Sequence, residues 1–592
     1  MSDYSILKAF LISKDHIVNP HLKDKHYLTN GFNLYTSRDI NISSYETENG
    51  SAYLLGYAFD INIPNITPLE ILKRVLREEL TASCHSINDL NGSFVIIKST
   101  EDCIEIYSDA AGFRSPYYTA DLSIVSSHDK LIGDIFGNKK IHQRINALDY
   151  SRYKNVYKLV PSNKLILGQE KIRIYPNPNL KHHRYQEILS EMKKHIKHLN
   201  LSLNKVNNKL LVGITGGIDS KCTLALTKPL NKPVKTFTYM KDIYSIQDKR
   251  ARQIYKNDKV IVNRLVKNIN LDHELIEFNL NDVDKEYSKN MFEVTGTTFN
   301  HPVAEIFEKK YEKESDDVLQ FRSVIFSNAK YDYPKTYIEK QMSMQDIYEY
   351  IHNKMLKNNS MEATINAADE YFKRTKTDIT TDDYIELLDI IHIDSRMGNW
   401  HSQLIKETDR VMDFFNYLND RKTLNMLLHL PVEVRRNHLF HKDLIDTYWP
   451  ILNFFEENGT DTLYSLERNG IMQNIASEAG IQNEMNMDFD LDEDAMYALI
   501  PKVNLDNPSQ LIYKAEVVRK KESVIRSFYT NEKGRNYIHI NITCDGHTDV
   551  IDVVDLSKGY ILKADQKYEI EIKYLKPTST ASWIKAGTLY IK

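Results

Sequence analysis

The stretch Leu210 to Leu226, LLVGITGGIDSKCTLAL, governs how the rest of the 592-residue chain is read. An apolar run with the character of a buried strand leads into Thr215-Gly216-Gly217-Ile218-Asp219-Ser220 and then into a helix. Two glycines let backbone amides approach a polyanion, the helix N-terminus offers free N–H groups and the positive end of its dipole, and Thr215 and Ser220 add hydroxyl donors. Together these make a pyrophosphate cradle. A carboxylate inside such a loop repels phosphate unless a cation stands between them, so Asp219 predicts Mg2+ bridging carboxylate and phosphate oxygens. The segment lacks the lysine of G-x-x-x-x-G-K-[ST] and the spacing of G-x-G-x-x-G. The plain alternative is a Gly-rich strand-to-helix turn with an Asx cap.

Working outward, VKTFTY and ELIEF alternate with helical stretches between residues 205 and 280, which predicts a parallel sheet with crossover helices. Before it, residues 4 to 175 hold short β-branched and aromatic runs: Ser51 to Ala58, Ser93 to Ile97, Ile104 to Ser108 and Leu165 to Leu167. One helix is expected there, from Pro68 to Leu80. The Pro176-Asn177-Pro178 punctuation marks a boundary, followed by helical spacing from Tyr185 to Leu203. Residues 340 to 475 read as mostly helical. The acidic run from Asn483 to Asp494 places Asp488, Asp490 and Asp492 at calcium-loop spacing, but Glu493 replaces the turn glycine and Leu499 the last glutamate, so it reads as a solvated linker. Beyond about 510, Tyr537 to Thr543, Asp549 to Val554 and Tyr568 to Tyr574 predict a β-sandwich.

Charge and cysteine usage narrow the function classes. With 77 Lys plus Arg against 81 Asp plus Glu the net charge is −4, which excludes nucleic-acid binding driven by bulk charge. The four cysteines, Cys84, Cys103, Cys222 and Cys544, include no C-x-x-C pair, so neither a disulfide scaffold nor a structural zinc site is expected. No apolar run reaches the ~20 residues of a membrane span, and charged residues interrupt the N-terminus where a signal peptide needs an apolar stretch. The expectation is a cytoplasmic protein of unspecified oligomeric state.

The 215–220 loop resembles the S/T-G-G-x-D-S loop of ATP pyrophosphatases, and its context resembles the asparagine synthetase family. Leu90-Asn91-Gly92-Ser93-Phe94, Ser108-Asp109-Ala110-Ala111-Gly112, Pro116-Tyr117-Tyr118 and Val125-Ser126-Ser127-His128 are similar to that family's run from GxFA through DxxGxxPLYY to FASE. Val160-Pro161-Ser162-Asn163 stands where the family has a PPGH turn. The resemblance covers roughly residues 1 to 475 and implies an α/β + β chain. Its parts are an N-terminal Ntn-hydrolase-like α+β sandwich (1–178), a central parallel-sheet, HUP-like ATP pyrophosphatase domain (179–480), an acidic linker (481–508) and a C-terminal β-sandwich (509–592). It further implies ATP and Mg2+ as cofactors.

The departures carry as much information. The family's glutaminase nucleophile is a Cys directly after the initiator Met, whereas residue 2 here is Ser and the nearest cysteine is Cys84. The N-terminal part therefore reads as a degenerate glutaminase, with Ser2 a nucleophile only in principle. Where asparagine synthetases carry SGEGxDE, residues 318–326 read VLQFRSVIF, closer to the LHIRSN version of relatives that do not make asparagine. A second acidic loop is missing, and Arg322 follows the strand to pair phosphate or an acceptor carboxylate.

By the same resemblance the ATP-binding set is Ile214, Thr215, Gly216, Gly217, Asp219, Ser220, Tyr239 and Phe321. Asp394 and Arg396, in the run resembling the family's RMG-W helix, are the substrate contacts, and Lys442 holds pyrophosphate. Asp258 matches an acidic position without a derived role. Relatives without the nucleophile include β-lactam synthetases, lasso-peptide cyclases and uronamide-forming enzymes, so the acceptor is a small-molecule, peptide or saccharide carboxylate with an amine or ammonia. The alternatives are a noncatalytic nucleotide-binding homologue and a sulfur-transfer enzyme using Cys222.

Overall fold

The computed structural model describes residues 6–78, 85–142, 148–176, 184–243, 246, 248–279, 283–311, 318–334, 336–339, 342–381, 383–459, 483–486, 490–492, 495–501, 511–529, 536–576 and 585–592. Two compact units emerge, Met1–Asn458 and Gly459–Lys592. Ser2, Cys84 and Asp488 lie outside the described residues. Among the described residues no helix is long and apolar enough to cross a membrane.

Alternating burial builds the first part of the larger unit. Two six-stranded, largely antiparallel sheets pack through Phe10, Ile12, Leu34, Tyr53, Val95, Ile97, Ile106 and Leu165. Gly50–Asp60 and Leu90–Thr100 pair along their whole length, from Gly50 opposite Thr100 to Asp60 opposite Leu90. The helix expected to reach Leu80 spans Pro68–Arg77, and it buries Ile71, Leu72 and Val75 at helical spacing. A capping box fixes its start: Glu70 N–H donates to Thr67 Oγ1 at 3.3 Å, and Thr67 N–H donates to Glu70 Oε2 at 2.9 Å. Thr67→Ala removes half of that exchange and should cost about 1 kcal/mol, read as a lower thermal midpoint.

The sheet that positions the site is parallel throughout. Its order is His273–Phe278, Val234–Lys241, Lys209–Gly213, Val318–Phe321, Asp413–Phe415, with the Lys209–Gly213 strand at the centre. The chain first winds outward on one side and then returns to add strands on the other. The order therefore reverses between Lys209–Gly213 and Val318–Phe321, and at such a reversal the carboxyl ends of the strands leave an open crevice. Helices Tyr185–Leu203, Ile218–Thr227 and Leu439–Tyr448 bury their apolar faces in the core beneath it.

The two sheet systems of this unit are stitched by polar side chains as well as apolar packing. Asn91 donates to the Tyr417 carbonyl at 2.9 Å, Asn419 accepts from Ala111 N–H at 2.8 Å, and Arg421 donates to the Ser108 and Pro161 carbonyls at 2.9 Å each. The boundary expected at 178/179 lies outside the described residues, and the residues described on either side of it belong to the Met1–Asn458 unit.

The smaller unit is a pair of five-stranded sheets around Ile500, Val517, Ile525, Ile540, Ile570, Ile572 and Leu589. The acidic run expected as a linker is a correction. Asn483–Asn486 and Asp490–Asp492 are strands, one at the edge of each sheet, and Asp490–Asp492 pairs antiparallel with Ala495–Pro501. Charge-dense sequence suits an edge strand as well as a solvated linker, because charge there discourages pairing with another chain.

Candidate functional site

The 215–220 loop lies at the point where the strand order reverses. Val212 pairs with Phe321, so the residues following each strand, Gly213 with the loop behind it and Arg322, emerge side by side. The helix after the loop spans Ile218–Thr227, and no side chain caps its N-terminus. Its first amides and dipole are therefore open to an anion.

Inside the loop the amides are already engaged. Thr215 N–H donates to Ser220 Oγ at 3.0 Å, Gly216 N–H to Asp258 Oδ1 at 2.9 Å, and Gly217 N–H to Thr215 Oγ1 at 3.2 Å. A Cβ on Gly216 would stand 2.7 Å from Asp258 Oδ1 and 2.8 Å from Ile261 Cδ1, so a side chain here would push the Asp258 carboxylate off the loop. Asp258 thereby acquires a role that its place in the sequence did not reveal: it braces the loop from the Lys249–Ile269 helix.

Asp219 is the electrostatic centre. Its Oδ2 accepts from Lys330 Nζ at 2.8 Å, and His441 Nε2 stands 3.1 Å from Oδ1 without the alignment of a hydrogen bond. Burial alone would raise the Asp219 pKa, yet His441 and Lys330 hold it below the usual carboxylate range. One oxygen carries an ammonium and the other faces an imidazole, so the expected Mg2+, held by this single carboxylate and by phosphate oxygens, would have to displace Lys330 or His441.

Further cations surround the loop. Lys221, 3% exposed, donates to the Phe455 and Glu456 carbonyls at 3.2 and 2.6 Å, and burial pulls its ammonium down to about 8. Lys442 is exposed, donates to the Asn437 carbonyl at 3.0 Å, and with Lys221 and His438 depresses the pKa of Glu457 against the effect of burial. Asn458 N–H closes on the Gly216 carbonyl at 3.1 Å.

Beside the loop, Arg322 donates its backbone N–H to Phe415 at 2.8 Å and lays its guanidinium over the Phe414 ring at 4.4 Å. Its Nε is buried without a hydrogen-bond partner, and burial lowers its pKa despite Tyr239 and Glu407 nearby. Glu407, pushed up to about 7 by burial, accepts from Asn300 N–H at 2.6 Å and from Thr297 Oγ1. Arg396 lies on a π-helical segment, His392–His401, with its guanidinium 3.5 Å from the Trp400 ring centre. Phe299, 65% exposed, meets Trp400 edge-on at 5.0 Å.

Several expected ligand contacts sit elsewhere. Ile214 and Phe321 are 1% exposed core residues; Ile214 N–H donates to Phe237 at 2.9 Å and its carbonyl accepts from Thr238 at 2.6 Å. Tyr239 is 40% exposed, two residues short of the end of a strand that runs to Lys241.

Asp394 is corrected from substrate contact to anchor: fully buried, it accepts from Ser162 Oγ at 2.5 Å, Arg173 at 3.3 Å and Tyr371 at 3.5 Å. On the same segment Gly398 packs against Pro161, where a Cβ would stand 2.5 Å from Cδ. The two motifs at 160–163 and 394–400 thus hold each other.

Lys330, His441 and Glu407 were not found from the sequence. Lys330 lies nine residues beyond the strand it serves, and His441 adjoins the lysine that was singled out.

No protein-family model matches the sequence, and no curated protein matches it. Partial likenesses to solved structures include the periplasmic g-type lysozyme inhibitor PliG of Salmonella Typhimurium, at 20% identity over 19% of this chain and 96% of that one, TM-score 0.12. The glutamine phosphoribosylpyrophosphate amidotransferase of B. subtilis, complexed with ADP and GMP, matches at 13% identity over 41% and 51%, TM-score 0.18. The glutamine-dependent NAD+ synthetase of Acinetobacter baumannii, in complex with ADP, matches at 11% identity over 48% and 55%, TM-score 0.17. The chain thus spans about half the length of these last two. At such scores the likenesses carry no argument about fold or chemistry.

Proposed function

We propose that the chain is an ATP-dependent, AMP-forming amide-bond synthetase that works without glutamine hydrolysis. The observation that carries this reading is the convergence of the uncapped Ile218 helix N-terminus, the Asp219–Lys330 pair and Arg322 at the point where the parallel sheet reverses its order. A carboxylate oxygen of the substrate attacks the α-phosphorus of ATP, the bond to the bridging oxygen breaks, and pyrophosphate leaves. An amine or ammonia then attacks the acyl carbon, AMP departs, and the nitrogen gives up a proton. Charge develops on the departing pyrophosphate and on the α-phosphoryl oxygens. Lys330, held by Asp219, and the helix N-terminus act on that charge with their orientation already fixed. Arg322, with its Nε unpartnered, is suited to a carboxylate or an α-phosphate beside the loop.

A second reading, nucleotide binding without turnover, is favoured by one observation: the three loop amides already have internal acceptors. Sulfur transfer through Cys222 loses its support, because the thiol is fully buried and burial raises its pKa well above the ordinary value.

The test is product analysis with ATP, a carboxylate-containing metabolite and peptide extract, and ammonium present or absent. AMP and pyrophosphate in equal amounts are expected, with Arg322→Gln slowing their release by about 10²-fold. ATP binding without AMP would move the reading to the noncatalytic binder, and ADP with phosphate would overturn both.

A further inference from the structure

A cavity of about 400 Å3 opens beside the first strand of the N-terminal sheets, between Lys8 and Phe10 on one side and the 406–413 segment on the other. It is separate from the 215–220 loop. Its acids are all matched within the protein: Asp409 takes both Nη atoms of Arg114 at 2.5 and 2.7 Å, Asp413 takes Lys8 Nζ at 2.6 Å, and Asp39 accepts the Lys8 backbone N–H at 2.7 Å. Arg410 on the same wall donates to Glu308 at 2.7 Å.

Two cations remain. Lys406 is 6% exposed and its ammonium meets a carbonyl, that of Ser127, and the Tyr117 ring at 5.1 Å. Arg38 stands exposed at the rim, without an acid in ion-pair range among the described residues. His128 beside them is buried and held neutral, by burial first and then by Lys406.

Burial pulls the Lys406 ammonium down to about 7, and Asp129 and Asp409 offset that only in part, so an anion brought into the cavity favours its charged form. The pKa of a second buried lysine, Lys158, is pulled well below its ordinary value, by burial first and then by Lys406. The cavity volume is in the range of sites for small metabolites. We propose that this cavity binds a small organic dianion, one anionic group reaching Lys406 and the other Arg38, and that the chain has here an anion site distinct from its nucleotide loop. Dicarboxylates and phosphorylated acids share the required chemistry. The 406–413 wall continues from the π-helical segment that carries Arg396 and leads into the Asp413–Phe415 edge strand, so occupancy bears directly on elements of the larger site.

Thermal unfolding of the full chain, titrated separately with succinate, 3-phosphoglycerate and glutamine, tests this without recourse to ATP chemistry. A saturable rise in midpoint of about 3 °C or more is expected with one of the two dianions, which identifies the source, and none with glutamine. Lys406→Met should lose that response while being at least as stable as the parent in the absence of ligand, because a buried cation whose charged form burial disfavours has gone. A merely structural lysine would give the opposite stability change. Arg38→Gln, a rim substitution outside the core, should raise the half-saturating concentration at least about 5-fold. No saturable shift with either dianion, a response to glutamine alone, or an undiminished response in both variants overturns the proposal.

Discussion

If the proposed synthetase reaction holds, Asp219→Asn should abolish AMP formation, by at least about 10³-fold, while the protein stays folded. The side chain keeps its shape and loses its charge, and the first casualty is Lys330. Its Nζ is held 2.8 Å from Oδ2, and the Asp219 carboxylate raises its pKa against the opposing effect of burial. Without the carboxylate the ammonium is no longer aimed across the loop, and one preoriented cation is worth about 10²–10³ in rate at such a site. The loop also loses its first-turn acid at the helix N-terminus, a stability effect of about 0.3–1 kcal/mol. Circular dichroism should show a midpoint within a few degrees of the parent. Lys330→Gln should reproduce the loss, and the double variant should be little worse than either single one, because the two act as a unit. Near-normal turnover in Asp219→Asn would sink the assignment of this loop.

Sequence reasoning reached as far as local pattern reaches. The apolar run 210–212 with Gly-Gly behind it reads as a strand entering a Gly-rich turn to a helix, and Lys209–Gly213 and Ile218–Thr227 are where that pattern leads. Tyr185–Leu203 was legible to the residue, because its apolar face repeats at 3.6 and its ends carry no competing signal. What failed was pairing across the fold. Asp219 was given a metal because an unopposed carboxylate near phosphate needs a cation; local sequence could not show that Lys330, 111 residues away, also reaches it. Lys442 was named for the Leu439–Tyr448 helix, but on a helix adjacent residues point about 100° apart, and it is His441 that turns inward to Asp219. Asp394 misled for a related reason. A carboxylate beside an arginine in a motif reads as a ligand contact, and only the tertiary structure shows Ser162 and Arg173 taking both its oxygens.

The largest stability effect is expected far from the loop, at Asp129. This residue opens the Asp129–Phe136 helix, is 1% exposed, and accepts from Arg152 Nε at 2.9 Å, Nη2 at 2.6 Å and backbone N–H at 3.1 Å. The rest of the Arg152 guanidinium donates to the carbonyls of Phe292, Glu293 and Val294, the last turn of the Lys285–Thr295 helix. One arginine therefore closes an ion pair and caps a helix in the same buried volume. Asp129→Ala leaves the guanidinium uncompensated and should cost about 3–5 kcal/mol in a urea titration. Asp129→Ala with Arg152→Met should recover only part of it, since the three carbonyls then lose their donor. Acid acts at the same place. Burial would raise the Asp129 pKa, but Arg152 holds it below the ordinary value of about 4, so the pair contributes fully above that pH and its contribution is lost as pH falls through the folded-state value. The parent should accordingly lose more stability than Asp129→Asn between pH 5 and strongly acid conditions. Equal losses in the two proteins, or a cost for Asp129→Ala below about 1 kcal/mol, would mean that water and the helix carbonyls, and not Asp129, carry the charge of Arg152.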